Sequence, residues 1–345
     1  MTRRRVAIIG LGMAVAPHAK SLLDLADRVE IAAAYSRSPA RTTAFAKAFA
    51  VPTTNDLDAI VADRSITAVL VLTPPWTHLD LVRSFAGAGK HILLEKPVEG
   101  TTARATELVD VYRRAGVTLA MMLQHRFRPA SLVLADLCAT GGIGRLVAAS
   151  VAIRWWRPQS YYDEPGRGTL ARDGGGVLLT QAIHTLDLFL SLVGPVSEVA
   201  AFAGTTTLHR METEDIVGAG LRFANGAIGT LDATTASYPG FPERIEIVGA
   251  KATAVLAGGA LELYHQDGRR EEIGGVQATG GGADPMAFSH EAHRAAIVDF
   301  LDAIDNGRPP RISGAGALAV HRLIDALLRS AREGRAVAVA TETIA

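Results

Sequence analysis

The chain has 345 residues, 48% of them hydrophobic and 20% charged, a composition of folded globular proteins at a length that suits two domains, which excludes disordered and fibrous classes. Its 35 Lys and Arg balance 35 Asp and Glu, and no basic stripe follows the short run Arg3, Arg4 and Arg5, so the expected partner is a small molecule and not nucleic acid. The single cysteine, Cys138, has no second thiol to complete a disulfide, metal or redox motif, no signal-like start is seen and no window reads as a membrane span; the expectation is a cytoplasmic protein with no membrane partner.

In chain order, the β-branched run RVAIIG (5–10) ends in glycine and leads into the helical HAKSLLDLA. VEIAAAYS, AVLVLTPP, HILLEK and TLAMMLQ read as further strands, with PARTTAFAKAF, HLDLVRSFAGAG and ARATELVDVYRRAG as the helices between them. This alternation predicts an α/β Rossmann domain, a doubly wound parallel sheet, over residues 1–123. After RFRP the rhythm changes to longer strands joined by NG and DG turns. Residues 124–345 are therefore predicted to form an α+β domain with a large, mostly antiparallel sheet. Two amphipathic helices stopped by glycine, HEAHRAAIVDFLDAIDNG and ALAVHRLIDALLRSAREG, close the chain, and ATGGGAD (278–284) reads as a mobile loop.

GLGMAV opens the first helix directly after a strand, so Gly10, Gly12, Met13 and Ala14 are candidates to hold a dinucleotide pyrophosphate at the helix N-terminus; the usual third glycine is Val15. The end of the second strand, where an acid usually bonds the ribose, carries Ser36 and Arg37, with Arg41 a turn further on. A hydroxyl beside guanidinium groups suits a 2′-phosphate, which favours NADP(H) and leaves NAD(H) possible; the competing reading is two solvated surface arginines. LTPPWTH offers Thr73, Pro74, Trp76 and His78 to a cofactor groove, although His78 equally suits a cap or packing role on the next helix. HILLEKPVEG runs a buried strand into Glu95, Lys96 and Pro97 at the carboxyl edge of the sheet, where ligands bind in open α/β folds. A partly desolvated lysine there can exchange a proton with a substrate hydroxyl, and Pro97 can adopt a cis bond that sets its direction.

GGGVLLTQAIHTLDL (174–188) puts His184 inside an apolar helix, where it is either a core histidine or an active-site group that three glycines let a ligand approach. Taken together, GLGxx with His18, TPPWTH, GKHILLEKP and GGGVLLTQAIHTLDL resemble the glucose–fructose oxidoreductase, inositol dehydrogenase and MocA family over nearly the whole chain. The resemblance implies an N-terminal Rossmann domain, a C-terminal domain whose open sheet makes oligomer contacts, and NAD(P)-dependent chemistry at a sugar or cyclitol carbon. It places Lys96 on the family's catalytic lysine, Glu95 on the acid beside the nicotinamide, and His184 on the acid/base histidine. It also implies an aspartate at the position of Thr180, which cannot ionise; Asp187, three residues after His184, is the nearest substitute in the sequence.

Gln124, with the cofactor set, His125 and Arg126 of LQHRFRP are candidates to face an interdomain cleft, and Trp155 and Tyr161 of the aromatic stretch RWWRPQSYYDEPGRGT are candidates to stack on a sugar, unless that stretch is an oligomer interface. Gln181 joins Thr180 as a neutral hydrogen-bonding group. His290 and His293 have no matching ligand set in the sequence, so no metal is expected. The expected activity is hydride transfer between the nicotinamide and a secondary alcohol or ketone carbon of a polyol, in a homo-oligomer, dimer or tetramer. The rival readings are a silent nucleotide- and sugar-binding sensor, or a dehydrogenase of a dihydrodiol-type alcohol.

Overall fold

A computed structural model describes residues 3–275, 280–282 and 288–340. The chain divides into two compact units: Met1–Gln124 with Ser289–Leu318, and His125–Phe288 with Ala319–Ala345. The first break falls next to the expected one, but the second expected domain is not continuous, since residues 289–318 return to the first unit.

In the first unit, β1 (Arg4–Ile9), β2 (Val29–Tyr35), β3 (Thr53–Thr54), β4 (Ala68–Val71), β5 (His91–Glu95) and β6 (Leu119–Met122) form a parallel sheet in the order β3-β2-β1-β4-β5-β6. β4 is buried at every position and β1 and β5 at four each, as expected of strands covered on both faces, and this is why they read as unbroken apolar runs. The strand order reverses between β1 and β4, the switch point at whose carboxyl ends ligands bind. The helix Glu291–Asp305 packs on the helix Val15–Asp24 and against β5 and β6, burying Ala296, Ile297, Phe300 and Leu301. Arg4 to Asp305 (2.6 Å), Arg28 to Asp302 (2.8 Å) and the Met121 N–H to the Ile312 carbonyl (2.9 Å) fasten this returning segment.

In the second unit, β7 (Leu146–Arg154), β8 (Val196–Gly204), β9 (Ile216–Phe223), β10 (Ile228–Thr234), β11 (Arg244–Gly249), β12 (Ala252–Ala257), β13 (Ala260–His265), β14 (Arg270–Gly274) and β15 (Val337–Ala338) pair in the order β14-β13-β12-β11-β7-β10-β9-β8-β15. Every pairing is antiparallel except β7 with β10. Period-two alternation sends Ala149, Val151, Ile153, Leu231, Ala233, Ile245 and Ile247 inward, beneath the helices Pro129–Ala139 and Ile183–Val193. The other face leaves Phe202 86% and Ile228 61% exposed.

Two sequence expectations need correction or limits. Leu170–Val193 does reach membrane-spanning length, with a mean hydropathy of 1.5, but 78% of its most apolar window is buried inside the protein, so its apolarity serves the core. Of the stretch expected to be a mobile loop, Ala278, Thr279, Ala283 and Asp284 lie outside the described residues, while the carbonyls of Gly280 and Gly282 accept from buried Arg157. Cys138 is half-buried, and burial pushes its thiol up to about 11, which disfavours the thiolate.

Candidate active site

Gly10 has φ +106°, and a Cβ there would meet the Leu72 backbone and Thr73 at 2.9 Å, so the turn after β1 closes on the end of β4 only as glycine. At Gly12 a Cβ would meet nothing within 4 Å. The backbone beside Gly12 is open, as a cradle for a bound group requires. The following helix, Val15–Asp24, starts from Ala14 with no side-chain cap and no acid in its first turn, so its positive end is open to an anion, with the Val15 N–H on the Gly12 carbonyl (3.2 Å) and no N–H on Pro17. Met13 is 53% exposed beside this turn, while Val15 is buried in the packing position of the usual glycine.

Ser36 is buried at the end of β2 and its hydroxyl accepts from the Ser38 N–H (3.2 Å). Ser38 caps the helix Pro39–Phe49 by accepting from the Arg41 N–H, with proline at the first turn, so Arg41 stands one turn above Arg37. Both guanidinium groups are exposed, and neither makes a hydrogen bond or ion pair among the described residues.

His78 does not line a groove. Its ring is 0% exposed, with Nδ1 3.1 Å from the carbonyls of Pro97 and Val98 and Nε2 2.8 Å from that of Thr73. Burial lowers its pKa, against the pull of those carbonyls and of Glu99 and Glu95. It staples the loop after β4 to the loop after β5. Thr73 bonds Thr77 (2.6 Å), and Pro74 and Trp76, the latter 42% exposed, face solvent.

Glu95 ends β5 with its carboxylate divided: Oε1 lies 2.8 Å from His18 Nε2, and Oε2 accepts the Lys96 backbone N–H at 3.0 Å. A carboxylate only accepts, so His18 carries its proton on Nε2. Half-buried Lys96 follows, with a cis peptide to Pro97. Buried Glu99, which sequence reading passed over, then accepts from the N–H groups of Leu79 (3.2 Å) and Gly100 (2.8 Å) and from Arg104 (2.9 Å), fixing the loop that carries the lysine. His293 sets its ring edge-on to His18 at 5.2 Å, and the ligand-type atoms of His18, Glu95 and His293 lie within 4.8 Å of one another. The sequence did not show this grouping, since its members come from three distant segments. His18 and Glu95 bond each other directly, closer than the roughly 3.3 Å that separates two ligands on a tetrahedral zinc ion. His290 bonds Asp24 (2.8 Å) at the start of its own helix.

In the second unit the three glycines serve the protein's own packing, and a Cβ on Gly175 would meet the Leu179 side chain at 3.0 Å. A Cβ on Gly176 would lie 2.0 Å from the Glu214 carbonyl oxygen, and Gly174 ends the short helix Leu170–Asp173 at φ +77°. Glu214, missed in the sequence, accepts from the Leu178 N–H (3.2 Å), and burial raises its pKa. The chain then makes a π-helical turn, Leu178–Ala182, before the helix Ile183–Val193, a local distortion that recurs at functional sites. The Thr180 hydroxyl donates to the Gly176 carbonyl (2.7 Å) and lies beside the Gln181 side chain. Gln181 and His184 are 6% and 8% exposed.

His184 stacks on His125, with ring centroids 5.1 Å apart and planes at 30°. Asp187 does not serve His184: both its oxygens bind Arg126, at 2.6 Å each, and it is 1% exposed. Burial pushes the Asp187 carboxyl up while Arg126 pulls it down. Arg126 is thereby committed to an internal pair and is not placed to bind a substrate. Trp155 is 5% exposed under the Arg157 guanidinium (5.4 Å), and Tyr161 lies 4.1 Å from the Arg167 guanidinium, so neither ring offers a clear stacking face to a sugar. Gln124 opens a 3-10 turn at the end of the first unit, and its buried Oε1 has no hydrogen-bond partner among the described residues.

The model of the oxidoreductase family with an NAD-binding Rossmann fold, Gfo/Idh/MocA, matches residues 4–123, and that of the Gfo/Idh/MocA C-terminal domain matches residues 132–255. The chain belongs to the Gfo/Idh/MocA oxidoreductase family. It is 29% identical over 349 residues to the inositol 2-dehydrogenase of Rhizobium meliloti, covering 97% of this chain and 99% of that one. To D-xylose 1-dehydrogenase (NADP(+)) 2 of Haloferax volcanii it is 28% identical over 315 residues, covering 89% and 91%. Among solved structures, the WlbA dehydrogenase of Bordetella pertussis in complex with NADH and UDP-GlcNAcA superposes with a TM-score of 0.84 at 27% identity, over 99% of this chain and 100% of the other. As a Gfo/Idh/MocA member the chain is an oxidoreductase, and its first unit is the nucleotide-binding one.

Proposed function

We propose that this enzyme moves a hydride between NADP(H), preferred over NAD(H), and a secondary alcohol or ketone carbon of a sugar, cyclitol or related polyol. The observation that carries the reading is the end of β5: Lys96 stands at the ligand-binding edge of the parallel sheet, its backbone tied to a Glu95 carboxylate that buried His18 holds in place. The relatives named for inositol and xylose support the substrate class.

The residues present fit a dinucleotide. Gly12, Met13 and Ala14 offer backbone at an uncapped helix start to a pyrophosphate, with Gly10 closing the turn that presents them, and Ser36, Arg37 and Arg41 offer a hydroxyl and two cations unengaged among the described residues to a 2′-phosphate. The orphaned Gln124 Oε1 suits an amide donor, with Thr73, Pro74, Trp76 and Glu95 completing the set. When bound, the nicotinamide supplies or accepts the hydride. In the first unit, Lys96 Nζ is the group to hydrogen-bond the reacting oxygen and take or return its proton; in the second, His184 is the group to orient substrate, with Thr180 and Gln181 as neutral hydrogen-bonding neighbours. The NADH held by WlbA keeps NAD(H) as the alternative cofactor.

Cofactor choice is tested by titrating NADPH and NADH into wild type and Arg37→Ala/Arg41→Ala. Loss of two charge-assisted bonds should weaken NADPH by about tenfold or more and leave NADH nearly unchanged; equal losses for both, or a wild-type preference for NADH, would refute the 2′-phosphate assignment. The reading also includes a cytoplasmic homo-oligomer, dimer or tetramer, supported by the single cysteine and by the exposed apolar residues on the open sheet face.

A further inference from the structure

Thr180 replaces the carboxylate that the family resemblance places one helical turn before His184, and Asp187 is spent on Arg126. What lies against the His184 ring is another ring, His125, at 5.1 Å. His125 is 2% exposed and its state is fixed by its neighbours. Its Nε2 lies 2.8 Å from Arg128 Nη2, and a guanidinium has only donors, so Nε2 must be the bare acceptor nitrogen and the proton must sit on Nδ1. Nδ1 in turn faces the Thr185 hydroxyl at 3.3 Å. Arg128 is held by buried Glu243. Protonating His125 on Nε2 would turn an N–H toward the guanidinium and break this arrangement, so the geometry favours the Nδ1–H tautomer.

We infer that His125, locked by Arg128, Glu243 and Thr185, is the positioning residue that sets the ring plane of His184 by stacking. This rests on the proposed role of His184 and adds the device that aims it. Three separate segments converge to hold one aromatic face: the stretch from the turn Gln124–Phe127 through Arg128 to the helix Pro129–Ala139, Glu243 just before β11, and the helix carrying Thr185. An orienting carboxylate would bond a ring nitrogen; a stacked ring fixes the plane and leaves the nitrogens to other partners.

The test separates face from hydrogen bond. His125→Phe keeps the aromatic face and loses the acceptor, whereas His125→Gln keeps an acceptor for Arg128 and loses the face. His125→Gln should lower kcat by about 10- to 100-fold, the scale of an ångström-level misplacement, with KM and cofactor affinity unchanged, and His125→Phe should restore most of the loss. Wild-type kcat in folded His125→Gln, or a KM or cofactor affinity that moves with kcat, would overturn the inference. Should the variants fail to fold, 15N histidine spectra of the wild-type protein still decide it: an Nδ1–H signature at His125 is expected, and an Nε2–H or doubly protonated ring overturns it. His184→Gln, measured alongside, tests the underlying assignment separately: full activity there removes the catalytic role of His184 and with it the purpose of the stack, while a loss confined to His184→Gln rejects His125 alone.

Discussion

Lys96 and Gly176 make opposite demands on a side chain, and each can be tested by one substitution. Removing the amine in Lys96→Ala takes away the proposed proton-transfer group and should cost roughly 100-fold or more in turnover while leaving cofactor binding intact; unchanged turnover would reject the role. Adding a methyl in Gly176→Ala drives a Cβ to 2.0 Å from the Glu214 carbonyl oxygen, and thermal unfolding should report a loss of about 2–3 kcal/mol. His321, 2% exposed in the helix Leu318–Glu333, is pushed by burial from 6.5 down to about 4. The unfolded chain therefore binds a proton below pH 6.5 that the folded chain refuses, so this stability is present above about 6.5 and is lost as the pH falls toward 4. At about 1.4 kcal/mol per pH unit the loss is roughly 3 kcal/mol, and His321→Phe should flatten the melting-temperature profile across that window. Single residues were the hardest scale to read from sequence. Arg126 looked like a substrate contact and Asp187 like a helper of His184 until the fold brought them together from 61 positions apart, and nothing local to LQHRFRP announced that His125 would meet His184.

At the scale of elements the sequence was far more informative. The parallel strands are buried on both faces and so appear as continuous apolar runs, and the strands of the second sheet alternate because one face is open. The turn at Gly10, the strand-to-loop step at Glu95–Lys96 and the helix carrying His184 were all legible, since each joins a periodic segment to a glycine or proline signal. Their meaning was less so. The three glycines looked like room for a ligand, yet Gly176 gives room to Glu214 and Gly175 to the Leu179 side chain, because a missing Cβ records a close approach without recording by what. His78 sits in a loop whose composition suits a groove, but both its ring nitrogens face backbone carbonyls in the interior. The π-helical turn at Leu178–Ala182 left no periodic trace, since one extra residue in an apolar helix changes no pattern that can be counted.

For the whole molecule, the amphipathic helix Glu291–Asp305 shows how far periodicity reaches: it predicts a buried stripe without saying which sheet the stripe covers. It covers the first unit. A fragment of residues 1–124 should therefore unfold without cooperativity, exposing apolar surface along the helix Val15–Asp24 and β5 and β6, whereas the same fragment joined to residues 289–318 should melt cooperatively; a stable 1–124 fragment would contradict this division. The family assignment makes the chain an oxidoreductase, and hydride transfer to or from a polyol carbon is open to a direct reading. That reading is nicotinamide absorbance, followed on mixing the protein with NADP+ and a panel of inositols, aldoses and other polyols. Reduced nicotinamide should form with at least one panel member and not with Lys96→Ala; a protein that binds NADPH tightly but turns over no member with either cofactor, in either direction, would contradict Lys96-dependent polyol oxidoreduction.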